Sequence, residues 1–300
     1  MITLITLLLA ALALQAPAAA PPDTEIYLAP LSTSGASLVV GQPANISHSP
    51  GYDNQPSFAP DGSAVFFTSV RGGGTLPDIY RFDLASREIT RVTETPEGEY
   101  SPTVTPDGGH LSVIRVERDS TQRLWQFTID GKNPELVLTG IKPVGYHAWA
   151  DAHTLALFVL GKPATLQLAD TRTGKARTLA SDIGRSLTRI PGRGTIAFVE
   201  RDPKAAQGGV AALWIKELDP RTHAIAPLVG AVAGATEADL AWTPDGRLLM
   251  AHADVLYGWR RGDKDWTRIA DLAALGLHGV TRLAVSPKGD HLALVADPPR

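Results

Sequence analysis

Four short segments follow one another within residues 52–93: Gln55-Pro-Ser-Phe-Ala-Pro-Asp-Gly62, Ala64-Val-Phe-Phe-Thr-Ser69, Asp78-Ile-Tyr-Arg-Phe-Asp-Leu84 and Glu88-Ile-Thr-Arg-Val-Thr93. Each is rich in Val, Ile, Phe, Tyr and Thr, and each is bounded by turn-forming residues such as the glycine cluster at 72–74. Such runs predict β-strands joined by tight turns. Four antiparallel strands in about forty residues match one blade of a β-propeller.

The Pro-Asp-Gly turn marks where this unit recurs along the chain. It stands at Pro60-Asp61-Gly62, Pro106-Asp107-Gly108 and Pro244-Asp245-Gly246, and in altered form at Pro287-Lys288-Gly289. Two degenerate marks fill the interval, Trp149-Ala-Asp-Ala152 and Pro191-Gly-Arg-Gly194. The six marks are about 41 to 53 residues apart, which is the spacing of propeller blades.

A third-strand pattern accompanies the marks, as Leu124-Trp-Gln-Phe-Thr-Ile-Asp130, Thr165-Leu-Gln-Leu-Ala-Asp170, Leu213-Trp-Ile-Lys-Glu-Leu-Asp219 and Val255-Leu-Tyr-Gly-Trp259. After the sixth mark only two strands remain, at residues 282–285 and 291–295. The segment Glu25-Ile-Tyr-Leu-Ala-Pro-Leu31 matches the third-strand pattern, and residues 37–46 follow it as a fourth strand. We therefore expect an all-β, six-bladed β-propeller of four-stranded antiparallel blades. The ring would be closed by pairing N-terminal strands with the C-terminal blade, which leaves no exposed sheet edge there.

Composition limits the class of protein further. The net charge is −3 and the 28 Lys and Arg residues are dispersed, which argues against a nucleic-acid partner. The chain has no cysteine, so neither disulfides nor thiol catalysis are available.

The first residues have the pattern of an export signal. Residues 2–14 are apolar and are followed by small residues, which predicts a signal peptide over 1–20 and a single propeller domain over 21–300. The apolar run is shorter than the roughly 20 residues that a membrane span needs, although an uncleaved anchor is the alternative. We expect a periplasmic or secreted protein with no membrane span after cleavage.

Ser-Phe-Ala-Pro-Asp-Gly, followed by Phe-Phe-Thr-Ser-Val-Arg, a glycine cluster and Asp-Ile-Tyr, resembles the WD40-like (PD40) repeat of TolB-type six-bladed propellers. The resemblance covers residues 24–297 and is strongest in the first, second and sixth repeats. It implies a propeller in the bacterial envelope, and TolB-like propellers can hold a cation in the central channel. The Tol component also carries an α/β domain ahead of its propeller, for which we expect no room here, so the resemblance supports the fold better than the Tol function.

The residues just before each mark are the candidate site. The first strand of each blade lines the central channel, and the loop that enters it lies at the channel mouth. These segments contain carboxylates, arginines, histidines and tyrosines, which suit a polar ligand. Gln55, Ser101 and Ser186 stand among them, and the candidate ligand-binding residues are Tyr52, Asp53, Asn54, Glu99, Tyr100, Tyr146, His147, Arg185, Arg189, Glu237, Asp239, His278 and Arg282.

The carboxylates leave two interpretations open. Asp53, Glu99, Glu237 and Asp239 could together bind Ca²⁺, which takes oxygen ligands. They could instead form separate pairs with arginines such as Arg185, Arg189 and Arg282, which is the interpretation we favour. The eight histidines show no short metal-binding spacing, so we expect no resident cofactor, with Ca²⁺ in the channel as the exception.

Catalysis also remains open. A Ser-His-Asp set would have to be built across blades, for example from Ser101, His147 and Asp53, since no Gly-x-Ser-x-Gly motif is present. Acid-base chemistry by His147 with Tyr146 or Tyr100 is the better enzymatic option, as in a lyase or lactonase acting on a polar carbohydrate or lactone. The tryptophans at 125, 149, 214 and 242 are expected to pack between blades.

The function that we expect is non-catalytic. It is recognition of an envelope protein or a polar small molecule at the channel mouth by a monomer. Propeller folds host binding proteins and enzymes alike, so this expectation rests on the candidate site and not on the fold.

Overall fold

The structure is a computed structural model that describes residues 21–35, 37–207 and 210–299. The predicted signal peptide, residues 1–20, lies outside the described residues. Within them every regular element is a β-strand, and the strands form six antiparallel sheets. The prediction of an all-β, six-bladed propeller is confirmed.

Each blade is numbered by its order along the chain, beginning with the repeat at residues 52–93. The innermost strands of blades one to six are β4 (Asp53–Phe58), β8 (Gly98–Val104), β12 (Val144–Trp149), β16 (Ile183–Ile190), β20 (Leu240–Trp242) and β24 (Arg282–Val285). The second strands are β5 (Ala64–Ser69), β9 (His110–Val116), β13 (Thr154–Val159), β17 (Thr195–Gln207), β21 (Arg247–His252) and β25 (His291–Ala296).

The two outer positions complete the blades. The third strands are β6 (Asp78–Asp83), β10 (Gln122–Thr128), β14 (Thr165–Asp170), β18 (Val210–Leu218), β22 (Val255–Arg260) and, in blade six, β1 (Glu25–Ser34). The outer strands are β7 (Ile89–Arg91), β11 (Glu135–Leu136), β15 (Lys175–Ser181), β19 (Ile225–Gly230), β23 (Thr267–Asp271) and, in blade six, β2 (Ser37–Val40) with β3 (Ala44–Asn45).

Blade six joins the two ends of the chain, as the repeat pattern predicts. Strand β1 pairs antiparallel with β25, with Glu25 opposite Ala296 and Pro30 opposite His291. The predicted continuous fourth strand over 37–46 is wrong, because the structure has two short strands that pair with different parts of β1. Pro43, which has no N–H to donate to a neighbouring strand, lies in the break between them.

The turn marks have the backbone that their glycines predict. Gly62, Gly108, Gly192, Gly246 and Gly289 all have φ between 71° and 83°, a region that favours glycine. The third mark has no glycine. There, Asp151 Oδ1 accepts hydrogen bonds from the backbone N–H groups of His153 and Thr154 and holds the turn.

The core consists of six apolar clusters, and each lies between two adjacent blades. Strand β5 shows how one strand serves two of them. Val65 and Phe67 pack toward blade six, and Ala64 and Phe66 pack toward blade two, because successive side chains of a strand point to opposite faces. Among the described residues, no helix has the length and apolar composition needed to cross a membrane.

Candidate functional site at the channel mouth

A cavity of about 690 Å³ lies between the innermost strands, and all six blades contribute to its wall. This volume is typical of small-molecule sites. Six residues at equivalent positions of the six repeats border it: Gln55, Ser101, Tyr146, Ser186, Asp239 and Arg282. The repeat pattern therefore places one side chain from each blade in a ring around the channel.

Breaks in strand pairing lie next to this ring in four blades. Pairing of the first strand with the second shifts register between Asn54 and Ser57, Tyr100 and Thr103, Val144 and Tyr146, and Ile183 and Leu187. Gln55 and Ser101 have φ of 57° and 54°, respectively. A bulge leaves a residue unpaired and re-aims its side chain, which explains why these polar residues border the channel.

Polar residues of all six blades lie at or near one end of the channel, and four of them, Tyr146, Arg185, Asp239 and Arg282, line the cavity itself. Arg282 Nη2 donates a hydrogen bond to the Tyr146 hydroxyl (2.7 Å), and the guanidinium lies 5.1 Å from the Tyr146 ring centroid. Arg282 Nη1 lies 3.4 Å from Asp239 Oδ2. Tyr100, Tyr146, Arg185 and Arg282 all act electrostatically on Tyr52. We call this set the mouth cluster: Tyr52, Tyr100, Tyr146, Arg185, Asp239 and Arg282.

The mouth cluster holds neutral phenols beside charged arginines. Burial raises the pKa of Tyr52 to about 12, although Arg282 and Arg185 oppose the shift. Burial raises the pKa of Asp239 as well, against the same two arginines. Burial disfavours the charge of Arg282, but Asp239 and the phenols of Tyr146 and Tyr52 outweigh it and raise its pKa. At neutral pH the phenol of Tyr52 is therefore a hydrogen-bond donor and Arg282 is a cation.

Arg185 differs from Arg282 in having no hydrogen-bond or ion-pair partner within the described ranges. It lies in the irregular part of β16, is half-buried and lines the channel. Its positive charge lowers the pKa of both Tyr52 and Asp239, against the larger effect of burial.

His147 lies in the channel wall but is fixed by a buried hydroxyl. Ser112 Oγ lies 2.9 Å from the Thr103 carbonyl oxygen, 2.9 Å from Trp149 Nε1 and 2.7 Å from His147 Nε2. The single Ser112 proton is donated to the carbonyl, so all three contacts are satisfied only when His147 Nε2 carries a hydrogen. Burial lowers the pKa of His147 to about 3, which keeps the ring neutral.

Asp53 and Glu99 stand in ion pairs outside the channel lining. Arg71 Nη2 lies 2.9 Å from Asp53 Oδ1, and its guanidinium lies over the rings of Phe67 and Tyr80. Both carboxylates are almost fully buried, at 1% exposure for Asp53 and 0% for Glu99. They serve the packing between blades.

The pair of Glu99 repeats this arrangement in blade two. Arg115 Nε lies 3.0 Å from Glu99 Oε1, and the guanidinium stacks over Trp125 and Phe127. An arginine that stacks on two aromatic rings and pairs with an inner-strand carboxylate thus occurs in two adjacent blades.

A second carboxylate adjoins Glu99. Thr93 Oγ1 accepts a hydrogen bond from the Ile79 N–H and lies 3.3 Å from both Asp78 Oδ1 and Glu99 Oε2. One hydroxyl proton cannot serve two carboxylates, so a protonated Glu99 that donates to Thr93 satisfies both contacts. Burial raises the pKa of Glu99 to about 7, opposed by Thr95 and Arg115, which agrees with this proton count.

The remaining predicted site residues are Asn54, Arg189, Glu237 and His278. Asn54 is buried and donates to Thr24 Oγ1 (3.4 Å). Glu237 is exposed and pairs with Arg201, and His278 lies 3.5 Å from Asp254. Arg189 lines the channel, whereas Asn54, Glu237 and His278 are absent from its lining.

The candidate Ca²⁺ ligands and the candidate triad are not assembled as groups. Each carboxylate of the Ca²⁺ set has its own arginine: Asp53 with Arg71, Glu99 with Arg115, Glu237 with Arg201, and Asp239 with Arg282. Within the described part of the chain, no three His, Asp or Glu side chains form a group that could hold a metal. Ser101, His147 and Asp53 share no hydrogen bond among the described contacts.

Sequence reasoning missed several residues that shape the site. Ser112 lies on a second strand, so its position gave no signal of the contact with His147. Trp149 and Trp242 pack between blades as predicted and also line the channel. Trp214, in contrast, is 39% exposed, so the packing prediction is wrong for this residue.

The number of blades and the closure of the ring by both chain ends define a six-bladed β-propeller fold, and this fold is similar to that of TolB-type propellers of known structure. The structure of a putative TolB from Agrobacterium tumefaciens superposes with a TM-score of 0.67 at 15% identity, and the match covers 93% of this chain and 99% of that one. An oligogalacturonate lyase in complex with manganese gives a TM-score of 0.57 at 15% identity, over 87% of this chain and 82% of the lyase. At these identities the similarity shows the fold alone.

The sequence comparisons find similarity over a smaller part of the chain than the structural comparisons do. No family model matches the chain. The dipeptidyl-peptidase 5 of Porphyromonas gingivalis is 27% identical over 192 residues, which is 59% of this chain and 26% of the peptidase. The chain thus spans about a quarter of the length of that curated relative.

Proposed function

We propose that this protein is an exported, non-catalytic binding protein whose ligand or partner docks at the mouth cluster. The observation that carries the proposal is the convergence of one polar side chain from each of the six blades, with Tyr146, Asp239 and Arg282 in direct contact. Phenols and guanidiniums at fixed positions supply directed hydrogen bonds and flat faces, which suit recognition of a polar ligand.

The protonation states support binding rather than acid-base catalysis. A general acid or base works best when its pKa lies near the working pH. The pKa of His147 is about 3 and that of Tyr52 is about 12, so both are shifted away from neutrality. Glu99, whose pKa of about 7 would suit catalysis, stands outside the channel lining and is held by Arg115 and Thr95.

The competing function is an enzyme that acts on a polar carbohydrate or lactone in the channel. Similarity to a dipeptidyl-peptidase and the fold of an oligogalacturonate lyase keep this candidate open. It would require a reacting group other than neutral His147 or protonated Tyr52, because neither exchanges a proton readily at neutral pH.

Compartment and assembly are part of the proposal. The apolar run at residues 2–14 and the small residues after it support export to the periplasm or the medium. Pairing of β1 with β25 closes the ring with strands of a single chain, which supports a monomer.

Thermal unfolding in the presence of candidate ligands tests the proposal. A ligand that binds only the folded protein raises the unfolding midpoint by mass action. We would screen envelope oligosaccharides, peptides and Ca²⁺, and repeat any positive result with a Tyr52→Phe, Tyr100→Phe double variant. Tyr257→Phe, on the third strand β22 and away from the channel lining, is the matched control.

We expect at least one compound to raise the midpoint of the wild type and of Tyr257→Phe, and to have less effect on the double variant. Ligand that is recovered chemically unchanged after long incubation supports a non-catalytic role. Turnover of that compound, or a midpoint shift that the double variant retains in full, would contradict the proposal.

A further inference from the structure

The charge of the channel wall differs in sign from that of the whole chain. The chain has 31 Asp and Glu residues against 28 Lys and Arg residues, for a net charge of −3. The channel lining instead contains three arginines, Arg185, Arg189 and Arg282, and one carboxylate, Asp239. A concave surface of one sign concentrates ligands of the opposite sign, so this channel favours anions.

Within the mouth cluster one negative charge is already matched. Asp239 Oδ2 faces Arg282 Nη1, and Asp239 Oδ1 accepts a hydrogen bond from the Leu283 N–H (3.3 Å). Arg282 donates a hydrogen bond from its other terminal nitrogen, Nη2, to the Tyr146 hydroxyl. Asp239 and Arg282 therefore compensate each other, and neither needs a ligand.

Arg185 is the cation that remains. No described residue accepts a hydrogen bond from its guanidinium, although it is half-buried in the wall. Because its guanidinium has no acceptor in the described protein, a bound anion could form charge-assisted hydrogen bonds with it. The mouth cluster, which also contains the protonated phenol of Tyr52, thus has one uncompensated positive charge.

We infer that the mouth cluster binds the carboxylate group of an organic acid, with Arg185 as its principal partner. This inference rests on the proposed function and specifies the ligand class of the same site. Within the mouth cluster the one uncompensated charge matches a monoanionic carboxylate better than a dianionic phosphate. Arg189, the other arginine of the lining without a partner among the described residues, is exposed and lies four residues farther along β16. The planar guanidinium also offers two parallel N–H groups to the two carboxylate oxygens.

The wall beyond the mouth indicates the rest of the ligand. Leu187 follows the polar ring on β16, and Trp149 and Trp242 lie farther along the same cavity. Leu240 and Leu283 also border the cavity, but they pack mainly into the clusters between blades. Two to three residues of strand correspond to about 7 to 10 Å. We therefore expect a carboxylate attached to an apolar body of that length.

Matched probes of one length separate charge from apolar contact. Octanoate carries the carboxylate, octanamide is its neutral analogue, and octylphosphonate presents the more highly charged oxyanion. Binding of each would be measured by titration calorimetry on the full protein at low and physiological salt. A charge-assisted hydrogen bond predicts that octanoate binds at least about 10-fold more tightly than octanamide.

Two arginine variants locate the contact. Arg185→Gln should reduce octanoate affinity to that of octanamide. Arg189→Gln removes the same charge from the same strand but outside the mouth cluster, and should change octanoate affinity by less than about threefold, mostly at low salt. Unchanged thermal midpoints of both variants establish that they are folded.

Three outcomes would overturn the inference. They are equal affinity for octanoate and octanamide, tighter binding of octylphosphonate than of octanoate, and equal losses in Arg185→Gln and Arg189→Gln. The proposed function would survive any of these if a compound from the thermal screen still depends on Tyr52 and Tyr100. The proposed function would be contradicted separately if no compound from the thermal screen depends on Tyr52 and Tyr100.

Discussion

Arginines and carboxylates lie close together in two regions of this propeller, between the blades and at the channel mouth, and their roles in the two regions differ. Between blades, Asp53–Arg71 and Glu99–Arg115 are buried, and each arginine is stacked on two aromatic rings. At the mouth, Arg282 Nη1 lies 3.4 Å from Asp239 Oδ2, and Arg185 has no partner among the described residues. Asp53 and Glu99 each have an arginine partner in the protein, although Arg115 Nη2 has no acceptor among the described residues. The mouth cluster instead has one more cation than carboxylates. The difference separates residues that hold the ring together from residues that are available to bind.

The largest expected effect comes from breaking a pair between blades. Glu99→Ala leaves Arg115 buried without its carboxylate, and loss of one partner of a buried pair typically costs about 3 to 5 kcal/mol. Glu237 is the matched control, because it occupies the equivalent position of the fifth repeat but is exposed in its pair with Arg201. Glu237→Ala should cost less than about 1 kcal/mol. Urea unfolding of both variants measures the contrast, and equal losses would remove the distinction between buried and exposed pairs.

The pH dependence of stability sharpens the comparison, because Glu99 has a pKa of about 7 in the folded state and an ordinary value of 4.5. The folded protein therefore binds the extra proton between these values. This contribution to stability is complete below about pH 4.5 and is lost as the pH rises through about 7, with a total of about 3 kcal/mol.

Glu99→Gln removes this titration and keeps the shape of the side chain. We would measure the unfolding free energies of the wild type and the variant at about pH 5 and about pH 8. The difference between the two proteins isolates the contribution of Glu99, because His147, whose pKa is shifted in the opposite direction, is present in both. We expect the wild type to lose more stability than the variant on going to the higher pH. Parallel losses would mean that Glu99 is ionised throughout.

Two buried serine hydroxyls differ in the same way, since one has hydrogen-bond partners in the protein and the other has none among the described residues. Ser112 Oγ has three partners, whereas the buried Ser101 Oγ has none among the described residues. Ser112→Ala should cost about 2 kcal/mol, because the N–H groups of Trp149 and His147 lose their acceptor. Ser101→Ala should change the unfolding free energy by less than about 0.5 kcal/mol. Thermal and urea unfolding provide the measurement, and a larger effect at Ser101 would reverse the assignment.

Repetition explains why the fold could be predicted. The Pro-Asp-Gly marks encode a backbone requirement, a positive φ at the glycine, and their spacing alone counts the blades. The mouth cluster could also be found in this way, because all six members lie within about eight residues before a mark. Blade six was predictable because Glu25-Ile-Tyr matches Asp78-Ile-Tyr of the first repeat.

What could not be predicted depends on contacts that the repeat pattern does not encode. Position in the repeat placed Asp53 and Glu99 with the mouth residues, but each pairs with an arginine of its own blade, Arg71 just after β5 and Arg115 near the end of β9. Bulges at Gln55 and Ser101 then separate side chains that bind arginine within the blade from side chains that border the channel. No local pattern encodes the contact between Ser112 and His147, which lie 35 residues apart.

The smallest expected effect on stability is at Arg185, and it is the sharpest test of the comparison. Arg115→Gln should destabilise the fold by more than about 2 kcal/mol, because the substitution leaves Glu99 and the aromatic stack without the guanidinium. Arg185→Gln should change the unfolding free energy by less than about 0.5 kcal/mol, since no described residue loses a hydrogen bond. Urea unfolding of the two variants at neutral pH measures both. If Arg185→Gln is as costly as Arg115→Gln, Arg185 holds the ring together and is not available for a ligand; if its stability is unchanged while octanoate binding is lost, the two groups of arginines have separate roles.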